Sequence, residues 1–135
     1  MSYVKFPYQP VTESLSMPYV RVRLRFGAAA VDAWALVDTG AEVNVMPHSV
    51  GVRLGLNWSD FSVGPVLGGN AFGETRVVDI DLSIGSVSRV PLTFCWANHD
   101  RVKLLLGHQN FFEEFNAFFD TKNRELSILK HAGPS

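Results

Sequence analysis

The stretch Ala35-Leu36-Val37-Asp38-Thr39-Gly40-Ala41 decides how the rest of this chain is interpreted. An apolar run of strand character ends in an acid, a hydroxyl and a glycine, and apolar residues resume at Val43. A carboxylate is costly in apolar surroundings unless it is paired or hydrogen-bonded. Asp38 is therefore either an exception to the apolar pattern without a role or a functional group. Thr39 offers a hydroxyl that can tie down the loop, and Gly40 lets its backbone N–H approach a carboxylate.

Length and composition predict one globular domain. The chain has 135 residues, of which 47% are hydrophobic and 19% charged. A net charge of -1 gives no general attraction to nucleic acid or to a membrane surface, so neither is expected as a partner. The single cysteine excludes an internal disulfide, and no apolar run has the length of a membrane span or a signal peptide. A cytoplasmic protein is therefore expected.

Alternation of apolar and polar residues predicts β-strands along most of the chain. Strands are expected at residues 19–26, 33–37, 43–46, 61–66, 74–84, 87–96 and 104–106, with a final hairpin within 118–129. Pro47 opens a short helix that ends at Gly55, and an aromatic helix follows at residues 111–115. Residues 1–17, which carry two prolines, are expected to form an arm that is irregular or only partly ordered. Residues 18–130 are expected to form the folded domain and residues 131–135 a tail.

One face of the strand at residues 19–26 carries three arginines: Arg21, Arg23 and Arg25. Such a row is typical of a solvated face that also discourages edge-to-edge pairing. A docking patch for an acidic substrate is the alternative interpretation.

Other chemistries find little support in the pattern. Cys95 and His99 are separated by about 13 Å along an extended strand, too far for a thiol–imidazole pair. The histidines and the cysteine show no metal-ligand spacing. The glycine-rich segment 67–73 is not followed by the Lys-Ser/Thr of a phosphate-binding loop. We therefore expect neither a metal nor a cofactor.

The sequence Leu-Val-Asp-Thr-Gly-Ala at residues 36–41 resembles the active-site loop of aspartic proteases. Its setting is similar to the single-domain, retropepsin-like branch of that family. A Met-Pro and short helix at residues 46–56, and the apolar strand that ends at Gly107, extend the resemblance over residues 18–129. The family usually has Leu-Gly-Arg-Asp or Leu-Gly-Arg-Asn at the latter place, whereas this chain has His108 instead of the arginine. Glu42, the acid that follows the loop, therefore lacks its usual partner.

The resemblance implies an all-β closed barrel of short strands with a flap hairpin and one or two short helices. It implies that Asp38 is catalytic and that Thr39 and Gly40 support its loop. The residues then expected to bind substrate are Ala41, Glu42, Gly68, Gly69, Asn70, Ala71 and Phe72, the last five of them in the flap.

Aspartic protease chemistry requires two carboxyl groups. One must be ionised to take a proton from water, while the other stays protonated to polarise the peptide carbonyl, and two close carboxylates share one proton for this reason. The chain has a single Asp-Thr-Gly. This count and the resemblance together predict a symmetric homodimer that cleaves peptide or protein substrates. A catalytically silent peptide-binding or dimerisation domain is the alternative.

The flap generates the first testable prediction. Gly69→Val or Gly73→Val should lower turnover more than stability, because valine disfavours positive φ at a hairpin tip and slows its closure over a peptide. Peptide turnover and thermal unfolding are measured side by side. Loss of stability without loss of turnover would mean that the segment is only a structural turn.

Overall fold

β-strands dominate residues 3–66 and 73–132, the parts of the chain described by the computed structural model. Within these ranges the strands are β1 (Val4–Pro7), β2 (Gln9–Pro10), β3 (Ser16–Met17), β4 (Tyr19–Phe26), β5 (Ala29–Val37), β6 (Asn44–Met46), β7 (Ser62–Val63), β8 (Thr75–Ile84), β9 (Val87–Ala97), β10 (Leu105–Leu106), β11 (Phe115–Asp120) and β12 (Glu125–Lys130). The helices are α1 (His48–Arg53), α2 (Phe111–Glu114) and a 3₁₀ turn, Trp58–Asp60. None of these described helices has the length and apolarity needed to cross a membrane.

Six of the strands close into a barrel. They pair in the order β4-β5-β10-β6-β9-β8, and β8 pairs back onto β4 to complete the ring. At the closing strand, Val22 of β4 faces Ala33 of β5 on one side and Ile84 of β8 on the other. The all-β barrel expected from the sequence is therefore confirmed.

The barrel interior is filled by the apolar faces of the alternating strands. β4, β8 and β9 bury every second side chain through most of their length, as their alternation predicted. The largest fully buried side chains include Trp96, Phe94, Phe111 and Phe115. Phe26 lies at the far end of the apolar face of β4 and is partly exposed, at 37%.

Three short strands form in the N-terminal segment, so the irregular or only partly ordered structure expected for residues 1–17 is wrong for β1, β2 and β3. β1 pairs with β12, which also pairs with β11, and β2 pairs with β3. Phe6 and Tyr8 pack against the main core. β1 is too short to establish a period, and its pairing partner lies at the far end of the chain. The division into arm, domain and tail at residues 17 and 130 stays a prediction.

Two other strand boundaries differ from the expected ones. β5 begins at Ala29 and not at residue 33, because the preceding turn needs only two residues, with Gly27 at φ 57°. The strand expected at residues 61–66 is limited to β7. The short helices follow Pro47 and Asn110 close to where they were predicted.

The arginine row on β4 finds its partners within the same sheet. Arg23 donates two hydrogen bonds to the carboxylate of Asp32, at 2.6 and 2.9 Å, and these bonds lower the pKa of that carboxyl group. Arg25 donates to the Ser83 hydroxyl at 2.8 Å, and the guanidinium of Arg21 lies over a tryptophan ring. These contacts favour a solvated structural face over a docking patch.

Helix α1 packs against β9 through a glycine. Gly51 is buried, and a Cβ at this position would lie 2.1 Å from Cε2 of Trp96. The Trp96 indole N–H donates to the His48 carbonyl at 3.1 Å. The His48 imidazole stacks on the Trp96 indole, with the ring centroids 5.4 Å apart. The glycine is therefore required by the indole, although within a helix it is about 1 kcal/mol less favourable than alanine.

We expect Gly51→Ala to lower the free energy of unfolding by about 1–3 kcal/mol, because overpacking against the indole outweighs the gain in helix propensity. Urea unfolding measures the change. Val52→Ala is the matched control, since Val52 is in the same helix and 57% exposed, and it should stay close to the original protein. If Gly51→Ala is equally stable, the helix can shift away from the indole freely.

Candidate active site

Asp38 lies where β5 ends, in a loop that is held by a distant part of the chain. β10 runs between β5 and β6, so that Leu105 faces Leu36 on one side and Val45 on the other. The Asp38 N–H donates to the Leu106 carbonyl at 3.0 Å. The strands that enter and leave the loop are thus joined by one central strand.

The Asp38 carboxylate is held by its own loop. The Gly40 N–H donates to Oδ1 of Asp38 at 2.9 Å, and the Ala41 N–H donates to the Asp38 carbonyl at 3.1 Å. Asp38 is half-buried, and a Cβ at Gly40 would come within 3.2 Å of Oδ1. Glycine therefore allows the close approach of backbone and carboxylate. Thr39 is exposed, and the role expected for its hydroxyl stays a prediction.

The segment after β10 lies directly against the Asp38 loop. The His108 N–H donates to the Ala41 carbonyl at 3.0 Å, and the Gln109 N–H donates to the Glu42 carbonyl at 2.8 Å. A Cβ on Gly107 would lie 2.6 Å from the Ala41 carbonyl oxygen, so only glycine fits this approach. The two stretches that carry the family resemblance therefore form a single site.

His108, which stands in the place of the expected arginine, contacts the active-site loop through its imidazole ring. Its ring Nε2 lies 2.7 Å from the Thr39 carbonyl oxygen. The ring also packs against Phe112, with centroids 5.0 Å apart. Glu42 takes part in none of the ion pairs found in residues 3–66 and 73–132. A histidine–carbonyl contact thus stands where the family pattern predicts an arginine–carboxylate pair.

A buried amide network beneath the loop was missed by the sequence interpretation. Asn44 is 0% exposed. Its Oδ1 accepts from the Gly107 N–H at 2.9 Å, and its Nδ2 donates to the Thr93 carbonyl at 3.0 Å and to Asn110 Oδ1 at 3.1 Å. A polar residue between Val43 and Val45, in a short apolar stretch, was the available signal, because a buried amide requires partners.

Comparisons with known proteins identify the family of the chain. A model of the aspartyl protease family matches residues 20–109, which are 90 of the 135 residues. The chain belongs to the aspartyl protease family. The resemblance inferred from the Asp-Thr-Gly loop is therefore confirmed. No curated protein matches the sequence.

Two solved structures share the fold of this aspartyl protease family member. A retropepsin-like aspartic protease from Rickettsia conorii aligns with a TM-score of 0.64 at 11% identity, covering 93% of this chain and 89% of that one. The retroviral protease-like domain of Ddi1 from Leishmania major aligns with a TM-score of 0.59 at 18% identity, covering 88% of this chain and 97% of that one. The fold is thus retropepsin-like.

The predicted flap is described at its base. The Gly64 N–H donates to the Thr75 carbonyl at 3.0 Å, and the buried Thr75 hydroxyl donates to the Pro65 carbonyl at 2.8 Å. The tip, residues 67–72, lies outside the described residues. The substrate-binding roles of five residues therefore stay predictions: Gly68, Gly69, Asn70, Ala71 and Phe72.

Gly73, at the second arm of this hairpin, has a φ of 60°, and a Cβ there would lie 3.1 Å from Asn98 Oδ1. Valine at this position is strained in the backbone conformation of this structure. Gly73→Val is therefore expected to lower stability as well as turnover, and Gly69→Val is the sharper test of closure.

A cavity of about 270 Å³ lies between the flap base and the segment after the active-site loop. Apolar and polar groups share its walls: Val43, Pro65, Val77, Thr93, Cys95, Gln109, Asn110 and Glu113. This volume is slightly below the range of about 300–1,000 Å³ that is usual for small-molecule sites.

Within residues 3–66 and 73–132, the cysteine and the histidines do not form a second catalytic site or a metal site. Cys95 is buried, and burial raises the pKa of its thiol, which disfavours the reactive thiolate. The ring Nδ1 of His99 accepts a hydrogen bond from the Arg101 N–H at 3.1 Å. No group of three or more His, Cys, Asp or Glu that could hold a metal ion occurs among the described residues.

We expect Asn44→Leu to lower the free energy of unfolding by about 2–5 kcal/mol, because each buried group left without a partner costs about 1–3 kcal/mol. Thermal and urea unfolding measure the loss. Asn116→Leu changes an exposed asparagine and is the matched control. An Asn44→Leu protein with the original stability would show that the network does not hold the segment after β10.

Proposed function

We propose that this chain is an aspartic endopeptidase that is active as a homodimer, with one Asp38 from each copy in a shared site. The observation that carries the proposal is the Asp38 carboxylate itself. It is the only Asp-Thr-Gly aspartate of the chain, and its loop holds it through the Gly40 N–H in a member of the aspartyl protease family.

The proposed reaction uses the two aspartates as one proton-sharing pair. The ionised carboxylate takes a proton from a water molecule, which attacks the peptide carbonyl, while the protonated carboxyl donates to the carbonyl oxygen. Two carboxyl groups a few ångströms apart cannot both ionise, so the pair keeps one proton. Neither a metal nor a cofactor is needed for these steps.

Other acids of the chain are poor candidates for the second member of the pair. Asp79 and Asp81 lie along strand β8, and Asp120 ends β11. Asp100 accepts the Ser49 N–H at 2.8 Å, and this bond lowers the pKa of Asp100. The Asp100 carboxylate is thus engaged by the first residues of helix α1, and none of these four acids lies in an Asp-Thr-Gly loop. A second Asp38, related by a two-fold axis, supplies the missing carboxyl group.

A peptide or protein is the proposed substrate, bound between the Asp38 loop and the flap. Ala41 and Glu42 continue from the loop, and residues 68–72 would cover the peptide from the other side. The cavity beside Val43 has room for one substrate side chain. Remote contacts of this kind hold the scissile bond against the catalytic pair.

The second candidate is a catalytically silent peptide-binding or dimerisation domain. It would keep the barrel, the hairpin and the self-association but would not need Asp38 or Gly40, and the chain retains both. Cleavage of a pool of unfolded proteins, with and without a transition-state inhibitor of aspartic proteases, separates the two candidates. Inhibitor-sensitive cleavage supports the protease, and binding without cleavage supports the silent domain.

Mixed dimers provide the sharpest test of the shared site. Asp38→Asn alone should fold normally and be inactive, because an amide neither shares a proton nor acts as a base. Co-refolding the original chain with an excess of Asp38→Asn should then abolish most activity per original chain, since most of these chains enter dimers with one aspartate. Activity should also fall more steeply than linearly on dilution below the dimer dissociation constant.

The control for this experiment is Asp79→Asn, which removes a charge on β8 and keeps an oxygen for the Thr93 hydroxyl. Chains of Asp79→Asn keep Asp38, so an excess of them should leave the activity per total chain at the level of the original protein. Exchange of subunits is verified with labelled chains. Full activity in the Asp38→Asn mixture after verified exchange would contradict the shared-site mechanism.

A further inference from the structure

His108 holds the active-site loop on both sides of Gly40. Its ring Nε2 lies 2.7 Å from the Thr39 carbonyl oxygen, and its backbone N–H donates to the Ala41 carbonyl at 3.0 Å. A carbonyl oxygen only accepts hydrogen bonds, so Nε2 carries a proton in this contact. One neutral tautomer and the imidazolium both have that proton.

The Thr39 carbonyl belongs to the same planar peptide group as the Gly40 N–H. In a trans peptide group the C=O and the N–H point in opposite directions and rotate together. The Gly40 N–H donates to Oδ1 of Asp38 at 2.9 Å. His108 therefore holds one end of a peptide group whose other end holds the Asp38 carboxylate. A hydrogen bond to the carbonyl also polarises the amide and makes its N–H a stronger donor.

We propose that His108 is a positioning residue that orients the Asp38 carboxylate through the Thr39–Gly40 peptide group. It acts through that group and not by contact with the reacting atoms. Its effect on turnover rests on the protease function proposed above. The link between the imidazole, the peptide group and the carboxylate is a property of the folded chain and is measurable without any substrate.

Two amide substitutions separate this link from the general effect of changing the side chain. In His108→Gln the amide nitrogen reaches about as far as Nε2 and can still donate to the Thr39 carbonyl. In His108→Asn the amide nitrogen lies near the position of Nδ1 and falls short. Both variants keep the backbone bond to Ala41, and neither side chain titrates.

The first measurement is the kinetics of peptide cleavage. His108→Asn should lower kcat by about three- to tenfold, the range expected for one lost hydrogen bond, with KM nearly unchanged because substrate contacts remain. His108→Gln should recover most of kcat. The control is His131→Gln, since the His131 ring contacts the Glu113 carbonyl and Asn116 Oδ1 away from the loop, and its kcat should not change. Thermal unfolding and dimer dissociation should be alike in all variants.

The second measurement is the chemical shift of the Gly40 amide proton in protein labelled with ¹⁵N-glycine. A shorter bond to a carboxylate moves this resonance downfield, and Asp38→Asn gives the reference for a weakened acceptor. His108→Asn should move the Gly40 resonance upfield, towards that reference, and His108→Gln should leave it near its original position.

The outcomes separate this inference from the proposed function. If the original protein cleaves no peptide but the Gly40 shift responds as expected, the protease proposal fails and the positioning link stands. If His108→Asn leaves the Gly40 shift unchanged, the link is overturned, whatever the effect on kcat. A His108→Gln variant as impaired as His108→Asn in both measurements would also overturn it.

Discussion

The pairing of β10 along both of its edges is the constraint on which the site depends. This strand is only two residues long, and a strand of that length has no stability by itself. It is held because its backbone bonds to β5 and β6 simultaneously and because Leu106 is fully buried. A buried backbone must satisfy its polar groups. The loop that carries Asp38 spans the two flanking strands, so its shape follows from the presence of the third strand between them.

Much of the fold could be predicted from the sequence, because apolar and polar residues alternate along most of the length of the long strands. β4, β8 and β9 alternate over eight residues or more, and the turns around Gly27 and Gly85 have the residue that positive φ requires. The three short strands at the start of the chain could not be predicted in this way, although β6 and β10 lie within strands that were expected. β1, β2 and β3 exist because distant segments offer them a backbone to pair with, and a pattern confined to four residues contains no information about that partner.

The candidate site likewise combines residues that a local sequence pattern identifies with residues whose role depends on distant contacts. Asp38 and its glycine could be identified because a polar tripeptide interrupts an apolar run. The amide of Asn44 and the imidazole of His108 act across contacts between residues more than forty positions apart in the chain. Their residue types were visible, but the contacts that give them a role exist only once β10 lies between β5 and β6. A substitution in the second half of the chain can thus disturb the Asp38 loop without changing any residue of that loop.

The register of β1 against β12 brings the first and last strands of the chain side by side. Val4 lies opposite Ile128, so the chain enters β1 beside the place where it leaves β12. Such an arrangement suits insertion as a module, because a host loop needs to open by little more than the spacing of two neighbouring strands. It also permits circular permutation: a short linker would connect the two ends, and new termini could then be placed in an exposed turn such as the one at residues 121–124 without unpairing the barrel.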